Sequence, residues 1–295
     1  MSFGPNPWQQ TSWDWRAAGN FIGGGAGTGL LVTSALFAAP DAASAWSPTW
    51  LLLIGLALVG LGLICVWLEI GRPLRALHVF FNPRTSWISR ESFVALLLFP
   101  AGLLTLLGLG GWIWATAVLA LMFLYCQSRM LPAARGIPAW RPKLVTPLMF
   151  VTGLGEGCGV FLMLGLFHGK VASPVMIVFA VLVLARLVVW ARYRRAVDAS
   201  LAPRARAALN RAGRWLLIVG TLAPLVLLGT SAWLPGGMAQ AMLIAIAGAC
   251  AVFAGAYMKY TLVTRASFNQ GFALVKIPVR GVRTSQQFET PISIK

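Results

Sequence analysis

Three ionisable side chains, Glu69, Glu156 and Arg186, stand inside runs of sequence that are otherwise apolar. Glu69 closes a long apolar run and is followed by IGRPLRALHVFFNPRTSWISRE, which supplies Arg72, Arg75, Arg84 and Arg90. A carboxylate at the edge of an apolar phase, close to water, can take up and release protons, which suits a lipid-soluble ligand that exchanges protons, such as a quinone. The competing reading is a salt bridge to Arg72 or Arg75, or a side chain that snorkels to the interface. Glu156 lies in the small-residue string GLGEGCG and Arg186 in the next apolar run. Two adjacent helices could bring them together, and the expectation is a buried ion pair that fixes packing, with a proton relay as the alternative.

The elements that carry these residues must be membrane helices. The chain of 295 residues is 58% hydrophobic and only 11% charged, with a mean hydropathy of +0.78, far from the composition of a domain with a watered surface. A bilayer core of about 30 Å needs about 20 apolar residues in a helix. Runs of that kind occupy 17–39, 48–70, 93–110, 112–131, 145–167, 174–190, 215–234 and 238–258. The fold class expected is therefore all-α integral membrane, with eight transmembrane helices in two four-helix bundles. The third and fourth runs are separated only by LGLGGW at 107–112, where glycines can supply the reversal. The membrane domain spans 17–262, after an N-terminal segment 1–16 and before a C-terminal tail 263–295. The tail has too few consecutive apolar residues to span and is expected to lie along a partner or the bilayer surface.

Charge gives the orientation. The net charge of +17 would suit nucleic acid if it were spread over a soluble face, but here it is parcelled between spans. Arg72, Arg75, Arg84 and Arg90 follow the second span, Arg129, Arg135, Arg141 and Lys143 the fourth, and seven arginines from Arg192 to Arg214 the sixth. Lys259 and the cations after it are counted with the C-terminus, whereas the connections on the other side hold only Lys170. This is the positive-inside pattern, which puts both termini and the basic loops in the cytoplasm and makes nucleic-acid binding unnecessary. The first twenty residues lack a basic start, an apolar centre and a twin-arginine pair, so insertion through the chain's own spans is expected.

Other motifs exclude more than they assert. In FIGGGAGTGLL, 21–31, no strand precedes the glycines and the dinucleotide spacing GxGxxG fails at Thr28 and Leu30. Small residues in a membrane span instead let a neighbouring helix or a flat ligand come close. The four cysteines are far apart and form no CxxC pair, and His78 and His168 fall on opposite sides. Neither an iron-sulfur cluster, a haem nor any other metal is expected in this chain.

Glu69-Ile70-Gly71-Arg72-Pro73-Leu74-Arg75-Ala76, then Ser86-Trp87-Ile88-Ser89-Arg90-Glu91, then Arg135-Gly136-Ile137-Pro138-Ala139-Trp140 with Pro147 beyond, resemble NrfD-like membrane anchors of the polysulfide reductase and dimethyl sulfoxide reductase type. The likeness is strongest over 13–159, and the eight spans agree with it. It implies a membrane anchor subunit of an oxidoreductase complex of anaerobic respiration, in the inner membrane of a bacterium or archaeon. It implies as partners a ferredoxin-like iron-sulfur subunit and, through it, a molybdenum or tungsten bis-pterin catalytic subunit. The anchor has no cofactor of its own and binds a quinone, menaquinone or ubiquinone, between its helices. Carried over by position, Glu69 is the proton partner of the quinone, Asn20 and Tyr125 are its polar neighbours, and Arg72, Arg75, Arg84, Arg90, Arg135 and Arg141 dock the electron-donating subunit. Many such anchors turn their docking loops to the periplasm. Here those loops are the arginine-rich ones, so the catalytic partners are expected in the cytoplasm. The alternative from another class is an ion- or proton-coupled transporter with Glu69, Glu156 and Arg186 as its relay.

Overall fold

The structure is a computed structural model that describes residues 7–38, 48–70, 73–109, 111–168 and 173–270. It contains eight helices long and apolar enough to cross a membrane. These are α1 (Trp15–Phe37), α2 (Pro48–Glu69), α3 (Trp87–Leu106), α4 (Trp112–Ala133), α5 (Val145–His168), α6 (Ser173–Val197), α7 (Pro203–Ser231) and α8 (Met238–Arg265). α7 contains a π turn at Ile218–Leu222, and α8 ends in another at Thr261–Arg265. Among the described residues the only β pairing is an isolated bridge between Gln9 and Phe268. That bridge, with Gln10 N donating to Ser267 O at 3.0 Å, joins the segments flanking the first and last helices at one end of the bundle.

The helices group as α1–α4 and α5–α8, and α1 against α5 is the joint. The joint is close because it is made of backbone: a Cβ on Gly157 would strike the backbone of Gly29 and Leu30. Large apolar side chains such as Leu96, Leu97, Ile177, Val181 and Val226 lie exposed on the outer surface. A belt of that size is at home in lipid. The reversal expected at 107–112 is present: α3 ends at Leu106, α4 starts at Trp112, and Gly108 takes φ +88°.

Several helices outrun the apolar stretches that mark them. α3 begins at Trp87 rather than 93, because Ser86 caps it by accepting from Ser89 N at 3.3 Å. α6 continues to Val197, and α7 begins at Pro203 rather than 215. The first turns of α7 bury Ala205, Leu209, Ala212 and Leu216 on one face, leaving Arg204, Arg206, Arg211 and Arg214 on the rest of an amphipathic helix rather than in a loop. The tail also differs from expectation. Ala266, Ser267 and Phe268 are buried against the N-terminal segment, because unpaired backbone at that edge finds its partners in Trp8 to Gln10. The tail beyond Gln270, and Lys170, lie outside the described residues.

Candidate functional site

At the end of the bundle that carries the arginines, α1, α2, α3 and α4 enclose a cavity of ≈ 230 Å³. α1 offers Ala17, Asn20 and Phe21, which share a face at helical spacing. The last turn of α2 offers Val66 and Glu69, followed by Ile70; the first turn of α3 offers Ile88 and Glu91; Met130 comes from α4 and Trp13 from the N-terminal segment. The corner is tied together by Arg16, which pairs with Asp14 at 2.9 Å and donates to Leu68 O at 2.7 Å, joining the start of α1 to the end of α2. The Arg16 hydrogen bond holds the Asp14 carboxyl below the usual carboxylate range. Trp13 is clamped between Phe21 and Trp140, at 6.2 and 5.1 Å between ring centres.

The polar wall has two carboxyl groups with different surroundings. Glu69 is half-buried and makes no hydrogen bond or ion pair with another described residue. Glu91 is 2% exposed; its Oε1 accepts from Gln127 Nε2 at 3.3 Å and more weakly from Asn20 Nδ2 at 3.5 Å. Gln127 Nε2 also donates to Asn20 O at 3.0 Å. The buried Asn20 Oδ1 has no partner. No described cation pairs with Glu91: the neighbouring Arg90 turns away, donating to Pro83 O at 2.8 Å and Arg84 O at 2.7 Å and lying 4.2 Å over the Trp87 ring. A carboxyl group buried beside carboxamides alone is held by dipoles rather than by a counter-charge, so it is suited to exchanging a proton with whatever fills the cavity.

Of the residues singled out from sequence, Glu69 and Asn20 meet in this cavity. Tyr125 does not line it: its side chain is half-exposed on the outer face of α4, edge-on to Trp87 at 5.8 Å. Arg84, Arg90, Arg135 and Arg141 are all at the same end of the bundle, whereas Arg72 and the side chain of Arg75 lie outside the described residues.

The second charged group corrects the expected Glu156–Arg186 pair. Glu156 pairs with Lys259, Nζ to Oε2 at 2.5 Å, both side chains being sealed from solvent. Lys259 also donates to Phe21 O at 2.8 Å. Arg186 makes no direct bond to Glu156, although its Nη1 and Glu156 Oε1 both lie against Gly255; it donates to two carbonyls, Ala251 O at 3.0 Å and Gly220 O at 2.5 Å, and its buried Nε has no partner among the described residues. Gly220 belongs to the π turn of α7, where the regular ladder is interrupted. Among the described residues four charged side chains are buried, Glu91, Glu156, Arg186 and Lys259, so Glu91 and Lys259 join the three read from sequence. The capping serine at 86 was the signal for Glu91, since it places that residue inside α3. Lys259 could be read from the small residues Ala251 and Gly255 at i−8 and i−4, which mark its face of α8 as buried.

These polar groups explain the glycine run in α1. A Cβ on Gly24 would overlap the Gln127 amide, and one on Gly25 the Lys259 ammonium. Two side chains from opposite halves of the bundle therefore reach α1 where it has no side chains of its own. Among the described residues no group of three His, Cys, Asp or Glu could hold a metal ion, and the four cysteines are free. No protein-family model matches the chain, and no curated protein matches it.

Proposed function

We propose that this chain is the quinone-reactive membrane anchor of an oxidoreductase complex, with its arginine-bearing end in the cytoplasm. The observation that carries the reading is the cavity itself, an apolar, partly aromatic slot at the charged end of the bundle with Glu69 and Glu91 in its polar wall. At ≈ 230 Å³ it is smaller than the roughly 300–1,000 Å³ of a pocket that engulfs a drug-sized ligand. It fits one flat ring, with an apolar tail left in lipid. Asn20 Oδ1 and Glu69, neither of which has a partner among the described residues, fit the polar edge of such a ring.

A quinone supplies the chemistry of taking up two electrons and two protons to become a quinol. The residues of this chain bind and protonate. Trp13, Phe21, Ile88 and Met130 flank the ring; Asn20 orients its oxygens; Glu91, fixed by Gln127, exchanges a proton with the ring; and Glu69 passes protons in from the cytoplasmic edge. Arg84, Arg90, Arg135 and Arg141, with Arg72 and Arg75, dock a ferredoxin-like iron-sulfur subunit that delivers the electrons from a molybdenum or tungsten bis-pterin subunit. The motif likeness supports this partnership, and the arginine asymmetry supports the cytoplasmic side. The N-terminal GPNPWQQTSWDWRAAGNFIGGGAG, taken with that side, resembles the anchor of phenylacetyl-CoA:acceptor oxidoreductase, and we assign the complex to that kind. The alternative, a proton- or ion-coupled transporter, draws its support from the sealed Glu156, Lys259 and Arg186.

The test is purification in mild detergent with identification of the accompanying proteins and metals, followed by quinone reduction by Glu69→Gln. Iron-sulfur and molybdenum or tungsten partners, with turnover lowered in an assembled complex, are expected. A chain that purifies alone and carries an ion in liposomes would establish the transporter instead.

A further inference from the structure

The outer face of α4 carries Val118, Met122 and Tyr125, each about half exposed. At helical spacing the same strip runs on into Arg129 and Pro132, where the surface opens into a hollow of ≈ 610 Å³. Among the described residues Arg129, Arg135, Arg141 and Lys143 line this hollow with Pro132 and Thr146, and no carboxylate does. The hollow is built on a fixed frame. The α4–α5 connection is pinned by Trp140 Nε1 donating to Leu262 O and by Tyr193 OH donating to Ala139 O, both at 2.9 Å. Arg141 donates to Arg135 O at 2.6 Å and to Gln270 Oε1 at 2.8 Å. Arg129 lies 4.9 Å over the Trp87 ring, and its Nε is buried with no acceptor among the described residues.

Four cations around one space repel one another, and an anion among them removes that cost. The geometry points to a binding site for an anionic phospholipid, its phosphate among Arg129, Arg135, Arg141 and Lys143 and an acyl chain along Tyr125, Met122 and Val118. An acidic protein segment or free phosphate would match the cations but leave the apolar strip below them without a role. A basic pocket beside membrane helices is the usual host of such headgroups. The inference stands apart from the proposed function, except that it gives Arg135 and Arg141 a lipid phosphate as counter-ion in place of an acidic side chain of the docked subunit.

The test uses the full chain, with any subunits that accompany it, in nanodiscs of phosphatidylcholine with or without phosphatidylglycerol, and native mass spectrometry reads the retained lipid. Retention of phosphatidylglycerol over phosphatidylcholine is expected, weakened about thirtyfold in R135A/K143A by loss of two interfacial cations and kept in R135K/K143R. Excess inorganic phosphate should not release it. Thermal unfolding of each variant separates lost binding from lost fold, because both altered side chains are exposed and only the charge change should matter. Equal retention of the two lipids, or undiminished retention by folded R135A/K143A, would overturn the inference. So would release by inorganic phosphate, or unchanged lipid with loss of a protein partner.

Discussion

The two halves of the bundle treat buried charge in opposite ways. In the α1–α4 half, Glu91 faces a cavity and is held by carboxamides, with Glu69 at the edge and without a partner among the described residues. In the α5–α8 half, Glu156 is closed off and paired with Lys259, while Arg186 lies beside it and donates to backbone carbonyls. Both halves lean on the same stretch of α1, through the carbonyls of Asn20 and Phe21. The contrast separates roles: a buried acid with its counter-charge in place is a clasp, and one left to neutral donors beside a cavity is available for proton chemistry.

Breaking the clasp should have the largest effect. Glu156→Gln or Lys259→Met alone leaves an uncompensated buried charge and should cost about 3–5 kcal/mol, read as a fall in thermal stability in detergent. Changing both together should recover most of the loss. If either single change leaves stability intact, the clasp does not exist.

Glu91→Gln should do the reverse, leaving the folded chain nearly as stable while quinone reduction falls about a hundredfold, the low end for a general acid–base group. Equal damage to stability and turnover would erase the distinction between the halves. Gly157→Ala tests the joint that lets the halves share α1. Its methyl meets the backbone of Gly29 and Leu30, and overpacking there should cost about 1–3 kcal/mol in the same unfolding assay. The smallest effect belongs to Tyr125→Phe, which touches only the outer face of α4 and should change quinone turnover by less than about twofold, as surface changes of within ~0.5 kcal/mol do. A larger loss would return Tyr125 to the proposed quinone site.

The helix count was legible in the sequence because each span needs a long apolar run, and the glycines within 107–112 marked the turn between α3 and α4. The helix ends were less so, since hydropathy reports where lipid stops and capping reports where the helix stops. Ser86 and Pro203 set the true starts of α3 and α7. Half of the site could be read ahead, because Glu69 and Asn20 sit at span edges where polar residues stand out. Glu91 was hidden by its arginine-rich flank, Gln127 by being an uncharged residue near a helix end, and Lys259 by the cationic tail that follows it. Which acid meets which base depends on how α5, α6 and α8 rotate against one another, and a linear pattern carries no record of that.

The most direct measurement is photolabelling of the purified complex with an azidoquinone, followed by peptide mapping. Label should fall on 13–21, 66–70 and 88–91, at the arginine-bearing end, and be competed away by unmodified quinone. Label at the opposite end of the bundle, or none that quinone competes for, would contradict the assignment of the Glu69–Glu91 cavity.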